Sequence, residues 1–240
     1  MLSAPNTYRS MFRKPDGSYD WQAELNYGWS LIDQASCGSL AVCIVECIQS
    51  SAGIHVLPPD YLKALKRHCK ERGMLLIVDE AQTGTLGNGL PLRAVVASAE
   101  IDRVCTERGY CFYTTHTNDT LPAAVGDKVL EVVIRDNLVQ NSKELGVVLQ
   151  EGLRRLQSRY SCIGDVRGRG LMAGVETMAD NDKRPPLTSR DALLAARTSS
   201  ASSGMFRIVP PITITREQIN HGLEVLEETF ASTPGNMPLY

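Results

Sequence analysis

The stretch that most constrains the fold of this chain is Met74–Gly84, MLLIVDEAQTG, in which five uninterrupted apolar residues lead into two acidic ones. A run this short and this apolar predicts a β-strand buried on both faces, as in a parallel sheet. Functional side chains of open α/β sheets lie just beyond the carboxyl ends of the strands. Asp79, Gln82, Thr83 and Gly84 occupy that place here. They are therefore either a functional sheet edge or a plain polar exit loop.

The sequence before this stretch predicts a strand–helix–strand unit. Leu40–Val45 (LAVCIV) is a second buried-type strand that ends at Glu46, and a helix begins near Asp60 and ends at Gly73. A helix between two such strands is the connection that parallel strands require. After the central stretch, Leu92–Ala97 (LRAVVA) is a further strand candidate.

Helices dominate the following part of the chain. Ala99–Gly109 is predicted to be helical, and a long helical pattern runs from Pro122 to Arg159 with a break near Asn137. The Gly-rich segment Ile163–Val175 then predicts short strands around turns. An α/β region is therefore followed by a smaller α+β region.

The last part of the chain mixes polar segments with one strand and one helix. Ala179–Arg190 predicts a loop, and Arg197–Gly204 (RTSSASSG) predicts a flexible low-complexity segment. Met205–Val209 predicts a strand, and Thr215 with Gln218 forms the capping-box pattern that begins a helix. Two arginines of the preceding Gly-rich segment are either an anion site or solvated turn residues: Arg167 and Arg169.

Composition narrows the class of protein. The formal net charge of −2 over 240 residues gives no reason to expect nucleic acid or an anionic membrane as a partner. No apolar run reaches membrane-spanning length, and the first residues lack the apolar core of a signal peptide. The seven cysteines are scattered without a CxxC pair. Reduced thiols in a cytoplasmic protein without a metal site are therefore expected.

Four segments in order resemble the carboxyl-terminal half of class III aminotransferases, and among them the 2,2-dialkylglycine decarboxylases. They are MLLIVDEAQTG, GYCFYTTHTNDTLPAAVG, IGDVRGRGLMAGVE and MFRIVPPITIT, and the similarity runs with gaps from about Pro5 to about Ser232. The resemblance implies a truncated pyridoxal-phosphate transferase of the aspartate-aminotransferase-like α/β class. Its large domain has a mostly parallel sheet and is followed by a small α+β domain. The implied divisions are an arm (1–20), a large-domain remnant (21–135), a connecting helix (136–160) and the small domain (161–240).

The resemblance implies a set of cofactor contacts. Asp79 would pair with the protonated pyridine nitrogen of pyridoxal phosphate and so hold the ring as an electron sink. Gln82 would contact the ring hydroxyl. Thr114 or Thr115 matches the position that reaches the cofactor phosphate across a dimer interface, so a homodimer is expected.

The resemblance also implies a substrate side. Arg207 would bind the carboxylate of an amino acid or keto acid through its guanidinium fork. Ser51 and Glu46 match positions that line the same side. The alternative for Arg207 is an ordinary surface charge on a strand.

Two departures separate this chain from the family pattern. The lysine that holds the cofactor as a Schiff base would immediately precede the turn that begins at Thr85, but Gly84 occupies that position. The amino-terminal half, which supplies the phosphate cradle, has no counterpart here. The spacing of Lys63, Lys66 and Lys70 indicates a solvated helix face rather than a substitute for that lysine.

Three functions remain open from the sequence. The first is a working pyridoxal-phosphate enzyme, a decarboxylating transaminase, against which the missing lysine argues. The second is a cofactor-free isomerase, cyclase or lyase that reuses the pocket, with Asp79, Glu46 and His116 as its acid–base groups. The third is a non-catalytic pseudoenzyme, or a mis-spliced fragment of an aminotransferase gene.

Overall fold

The fold is given by a computed structural model in which residues 1–178 and 204–231 are described. The chain divides into two compact units, one formed by Met1–Thr83 with Gln140–Tyr240 and the other by Gly84–Val139. The predicted loop at Ala179–Arg190 lies outside the described residues. So does all of the predicted segment Arg197–Gly204 except its last residue.

The order of elements matches a strand–helix–strand part followed by long helices and a small antiparallel sheet. In chain order the elements are α1 (Trp21–Ala35), β1 (Val42–Glu46), β2 (Ile48–Gln49), β3 (His55–Val56), α2 (Tyr61–Glu71), β4 (Leu75–Asp79), α3 (Ala99–Glu107), α4 (Thr120–Arg135), α5 (Leu138–Arg159), β5 (Ile163–Arg169), β6 (Met172–Thr177), β7 (Met205–Ile208) and α6 (Arg216–Ala231).

The parallel pair β1–β4 confirms the predicted strand–helix–strand unit. The two strands pair in register from Val42 with Leu75 to Glu46 with Asp79, and α2 connects them. Helices α1 and α2 cover one face, because their apolar residues pack together with inward-facing residues of the strands. This core contains Leu25, Trp29, Tyr61, Leu65, Cys69 and Met74, with Cys43, Val45 and Leu76 against it.

The prediction that these strands are buried on both faces is wrong. Leu75 and Ile77 are 52% and 47% exposed, and Val42 and Ile44 on the paired strand are 46% and 62% exposed. These four side chains share the face opposite the helices, since paired residues of neighbouring strands point to the same side. The sheet is apolar on both faces, but within the described residues only one face is covered.

The carboxyl-terminal part of the first unit has its own core. Strands β5, β6 and β7 form an antiparallel sheet in that order, which confirms the strands predicted around the Gly-rich turns. Helices α5 and α6 bury their apolar stripes against it. The core includes Leu145, Leu149, Leu153, Leu156, Val175, Phe206, Ile219, Leu223 and Phe230.

Local capping signals are confirmed where helices begin and end. The Thr215 N–H donates to Gln218 Oε1 at 2.9 Å, and the Gln218 N–H donates to Thr215 Oγ1 at 3.3 Å. These reciprocal bonds satisfy donors that the first turn of α6 cannot pair. Asn137, between α4 and α5, has φ of +50°, which explains the predicted break in the long helix.

The second unit differs from the prediction at Leu92–Ala97, which is irregular rather than a strand. Val95 and Val96 in this segment are 94% and 96% exposed. A strand needs a neighbour to pair its N–H and C=O groups, and none is assigned within the described residues of this unit. Helix α3 follows as predicted.

In the described parts of the chain, no helix combines the length and apolarity needed to span a bilayer.

Candidate functional site

Two carboxylates lie side by side where β1 and β4 end. Glu46 and Asp79 are paired in the parallel register, so they sit on neighbouring strands about 4.8 Å apart and point to the same side. The Asp79 carboxylate accepts the N–H of Ala81 at 2.9 Å. The sheet thus brings together two of the three predicted acid–base residues.

Ser50 connects the predicted cofactor and substrate residues. It lies in the loop after β2 and is only 2% exposed. Its hydroxyl accepts a 2.7 Å hydrogen bond from Arg207 Nη1 and donates to Gln82 Oε1 at 3.4 Å. Its N–H donates to Glu46 Oε2 at 3.4 Å. The structure therefore joins Glu46, Gln82 and Arg207 around one buried serine.

The small antiparallel sheet supplies Arg207 from a row that also contains Arg167. Arg167 pairs with Gly174 across β5 and β6, and Gly174 pairs with Arg207 across β6 and β7. All three positions face the same side. Gly174 leaves room for the loop after β2, because a Cβ atom there would lie 3.0 Å from Ile54 Cβ and 2.8 Å from Met205 Cε.

The two arginines of this row are in different electrostatic states. Arg167 donates to Asp165 at 2.6 Å, to Glu176 at 2.7 Å and to the Gly53 carbonyl at 2.6 Å. Its charge is therefore neutralised, and it is neither an anion site nor a solvated turn residue. Within the described residues Arg207 has only the neutral Ser50 hydroxyl as a hydrogen-bond partner. Its guanidinium keeps donors for an incoming carboxylate.

His55 is buried behind the same loop. It is 4% exposed, and its Nδ1 has no hydrogen-bond partner in the described parts of the chain. Burial, reinforced by the positive charge of Arg167, lowers the pKa of His55 to about 4. The imidazole is therefore neutral near pH 7 and adds no charge beside Arg167.

An open groove of about 600 Å³ adjoins the two carboxylates. Its walls are mostly apolar and come from the amino-terminal residues, α1, α2 and β1, and Glu46 and Asp79 are its acidic lining residues. A groove of this size holds a small molecule.

The remaining predicted site residues lie in the second unit, between α3 and α4. The N–H of Thr114 donates to Thr117 Oγ1 at 3.0 Å, and His116 Nδ1 lies 2.8 Å from Asp119 Oδ2. Thr115 lies in the same turn. All three predicted residues of this turn (Thr114, Thr115 and His116) belong to a unit that is described by itself, so their roles stay predictions.

The residues predicted to contact the pyridoxal-phosphate ring lie at and just beyond the end of β4. Asp79 and Gln82 can supply contacts to the pyridine ring, but no lysine among the described residues lies in the cluster around Ser50 or lines the groove. Lys63, Lys66 and Lys70 are exposed on α2, on the face turned away from its packed residues. The described residues of the site therefore offer Asp79 and Gln82 for the predicted ring contacts and no lysine for a Schiff base.

The described residues form neither a metal site nor a disulfide. No group of three or more potential metal ligands occurs there, and the seven cysteines are free thiols.

Sequence reasoning selected Ser51 and missed Ser50. Ser51 is exposed, whereas Ser50 is buried at the centre of the hydrogen bonds. The alternation from the buried Ile48 through Gln49 places Ser50 on the inward side, and this was the available signal.

Comparison with known proteins gives the family. The sequence profile of class III aminotransferases matches residues 14–85 and 85–230. An uncharacterised aminotransferase of Schizosaccharomyces pombe is 41% identical over 267 residues, covering 97% of this chain and 60% of that protein. A mitochondrial alanine–glyoxylate aminotransferase 2 homologue of Arabidopsis thaliana is 31% identical, covering 95% of this chain and 53% of that protein.

Solved structures agree on the fold. An amine transaminase from an uncultivated Pseudomonas species, in its pyridoxal-phosphate-bound internal aldimine form, matches with a TM-score of 0.81 and 24% identity. The match covers 96% of this chain and 61% of that one, and this chain spans 60% and 53% of the length of the two curated relatives. Its α/β fold is a partial transaminase fold, and the chain belongs to the class III aminotransferase family.

Proposed function

We propose that this chain is a degenerate member of its family, of the 2,2-dialkylglycine decarboxylase type, that binds a carboxylated small molecule without Schiff-base chemistry. The ligand class is an amino acid or keto acid, and the binding form is a homodimer. The observation that carries the proposal is the state of Arg207. Among the described residues its only hydrogen-bond partner is the Ser50 hydroxyl, whereas Arg167 beside it is neutralised by two carboxylates.

Binding would begin at the Arg207 guanidinium. Its fork would receive the ligand carboxylate by two parallel charge-assisted hydrogen bonds. Ser50 holds the fork in place and also contacts Gln82, so the bound carboxylate would lie beside the side chains at the end of β4. Pyridoxal phosphate, when present, would supply an electron sink, and Asp79 and Gln82 would hold its ring.

The loss of the cofactor lysine is supported by where the family matches meet. The two matched stretches of the family profile join at residue 85, next to Gly84 where the lysine is expected. The alignment with the Schizosaccharomyces pombe relative has 267 positions, while 97% of 240 residues is about 233, so about 34 positions face no residue of this chain.

Spectroscopy tests the cofactor part of the proposal. We expect purified protein with added pyridoxal phosphate to give no aldimine absorbance band and no stable adduct after borohydride. A reduced adduct would contradict the proposal, and peptide mapping would then identify the lysine that carries it.

Calorimetry with glutamate, 2-oxoglutarate and 2-aminoisobutyrate tests the carboxylate part. Arg207→Gln should abolish the binding that the unaltered chain shows. Arg169→Gln, which removes an exposed arginine from β5, is the matched control and should retain it. Binding that survives Arg207→Gln would refute the carboxylate site.

A cofactor-free isomerase, cyclase or lyase is the second candidate. It is favoured by Glu46 and Asp79 standing together beside the open groove. Asp79 would act as general base on a ligand whose carboxylate Arg207 holds, with His116 as the remaining predicted acid–base group. Exchange of ligand Cα–H for deuterium, lost in Asp79→Asn, would favour this candidate.

A pseudoenzyme or a mis-spliced fragment is the third candidate. Sequencing of the transcript tests the splicing alternative. A transcript in which the codon for Gly84 is followed directly by the codon for Thr85 would rule out a mis-spliced fragment.

A further inference from the structure

We propose that the free edge of β4 accepts Leu92–Ala97 from a second copy of this chain as an added antiparallel strand. Two copies would exchange this segment and form a dimer. The proposal concerns the sheet edge, shares only Asp79 with the candidate site, and is tested at Val95 without reference to what that site binds.

The acceptor is an unpaired and apolar edge. Within the described residues β4 pairs with β1 alone, so the N–H and C=O groups of its other side have no strand partner. From Leu75 to Val78 the strand carries no charge. The face formed by Val42, Ile44, Leu75 and Ile77 is about half exposed. An edge with these properties is a template for strand addition.

The donor is Leu92–Ala97, which has the composition of a β-strand but an irregular backbone. Leu92–Ala97 contains the β-branched residues Val95 and Val96, which are almost wholly exposed. Alternate residues of a strand point to opposite faces, and this segment is apolar at every position but Arg93. It therefore suits an edge whose sheet is apolar on both sides.

Charge fixes the register. In an antiparallel pairing with Arg93 opposite Asp79, Val95 lies opposite Ile77 and Val96 opposite Leu76. Asp79 has only the Ala81 N–H as a partner in the described parts of the chain, and Arg93 has no ion pair there. An opposite-charge pair at this position stabilises the register, and a slip of one residue loses it.

The choice of β4 over β1 follows from what lies beside each strand. Every residue of β1 lines the groove that Met1–Ala4 also line, whereas Asp79 is the one β4 residue that does so. The outer side of β1 therefore borders a groove that the chain's own first residues wall, which leaves less room for an added strand there than beside β4. Glu46, at the end of β1, provides the matched test of this choice.

Exchange between copies is favoured by the short connection from β4 to the segment. Glu80–Pro91 contains 12 residues, and the two stretches that match the family profile meet inside it at residue 85. Shortened hinge connections favour exchange of an element between copies over closure within one chain. In the single chain described here the segment is left irregular.

Sedimentation velocity over a concentration series tests the dimer. We expect the unaltered chain to dimerise, and Val95→Asp to raise the dissociation constant at least about tenfold, because it places a charge against the apolar Leu75 and Ile77 side chains of the strand it would join. Ile134→Asp, which alters an exposed apolar residue on α4, is the control and should leave dimerisation unchanged. Because Val95 is exposed in the single chain, its substitution should leave the circular dichroism and thermal unfolding of the monomer intact.

Charge exchange and cross-linking test the register. Asp79→Arg and Arg93→Asp should each weaken the dimer, and the two together should restore it, whereas Glu46→Arg should not rescue Arg93→Asp. A mixture of Ile77→Cys and Val95→Cys chains with different tags should form a disulfide between copies, identified by peptide mapping. A monomer at all concentrations, a dimer unaffected by Val95→Asp, rescue by Glu46→Arg, or no disulfide between copies would each overturn the proposal.

Discussion

The Arg207 guanidinium donates a 2.7 Å hydrogen bond to the Ser50 hydroxyl across 157 positions of sequence. The bond joins the small antiparallel sheet to the loop that follows β2. It orients the Arg207 guanidinium. Among the described residues this group has no carboxylate partner, whereas Arg167 in the same row has two.

Ser50→Ala should lower the free energy of unfolding by about 1 kcal/mol, because it removes a buried hydroxyl that bonds the half-buried Arg207 guanidinium and the Gln82 oxygen. Urea denaturation of the purified chain measures the change. Ser51→Ala is the matched control and should change stability by less than about 0.5 kcal/mol, since that residue is exposed. A larger effect at Ser51 than at Ser50 would contradict the assignment of the buried hydroxyl.

Gly174→Ala should destabilise the fold by about 1–3 kcal/mol, because the added Cβ would come within 3.0 Å of Ile54 and Met205. Gly222→Ala on α6 meets no atom within 4 Å and should stabilise the chain by up to about 1 kcal/mol, since alanine favours helix. Thermal unfolding of both variants gives the comparison. Equal effects would mean that Gly174 is not needed for the approach of the loop.

His55 should make stability depend on pH. Its pKa is about 4 in the folded chain and near 6.5 in the unfolded chain, so below pH 6.5 the unfolded chain binds the proton first. The stability that comes from keeping His55 neutral is fully present above pH 6.5. It is lost as the pH falls towards 4, and the free energy of unfolding falls by at most about 3 kcal/mol.

The pH effect is isolated by His55→Gln, which should flatten the stability profile between pH 6.5 and 4.5. The pKa of His68 is lowered in the same direction, so the difference between the variant and the unaltered chain is the quantity to compare. His221→Gln alters an exposed histidine and should keep the original slope. An unchanged slope in His55→Gln would show that this histidine is not the group responsible.

Thr215→Ala should cost about 1 kcal/mol, because it removes the hydroxyl that caps the Gln218 N–H at the start of α6. Loss of helical circular dichroism on heating should begin at a lower temperature than in the unaltered chain. If the midpoint does not move, the capping box adds nothing to stability here.

Local patterns determined the elements of this protein and several of their ends. The apolar run before Asp79, the helix with Leu65 and Cys69 on one face, the break at Asn137 and the cap at Thr215 depend on residues close in sequence. Because propensity, periodicity and capping act over one or two turns, the sequence alone carries them.

The tertiary structure decided how those elements are covered and which side chains meet. Among the described residues, Leu92–Ala97 has strand composition but no assigned neighbour, and the paired strands β1 and β4 keep one apolar face exposed. Ser50 rather than Ser51 contacts Arg207, and Arg167 rather than Arg207 is neutralised. Strand pairing, burial and ion pairing depend on residues far apart in the chain, and no local pattern reports which distant partner is present.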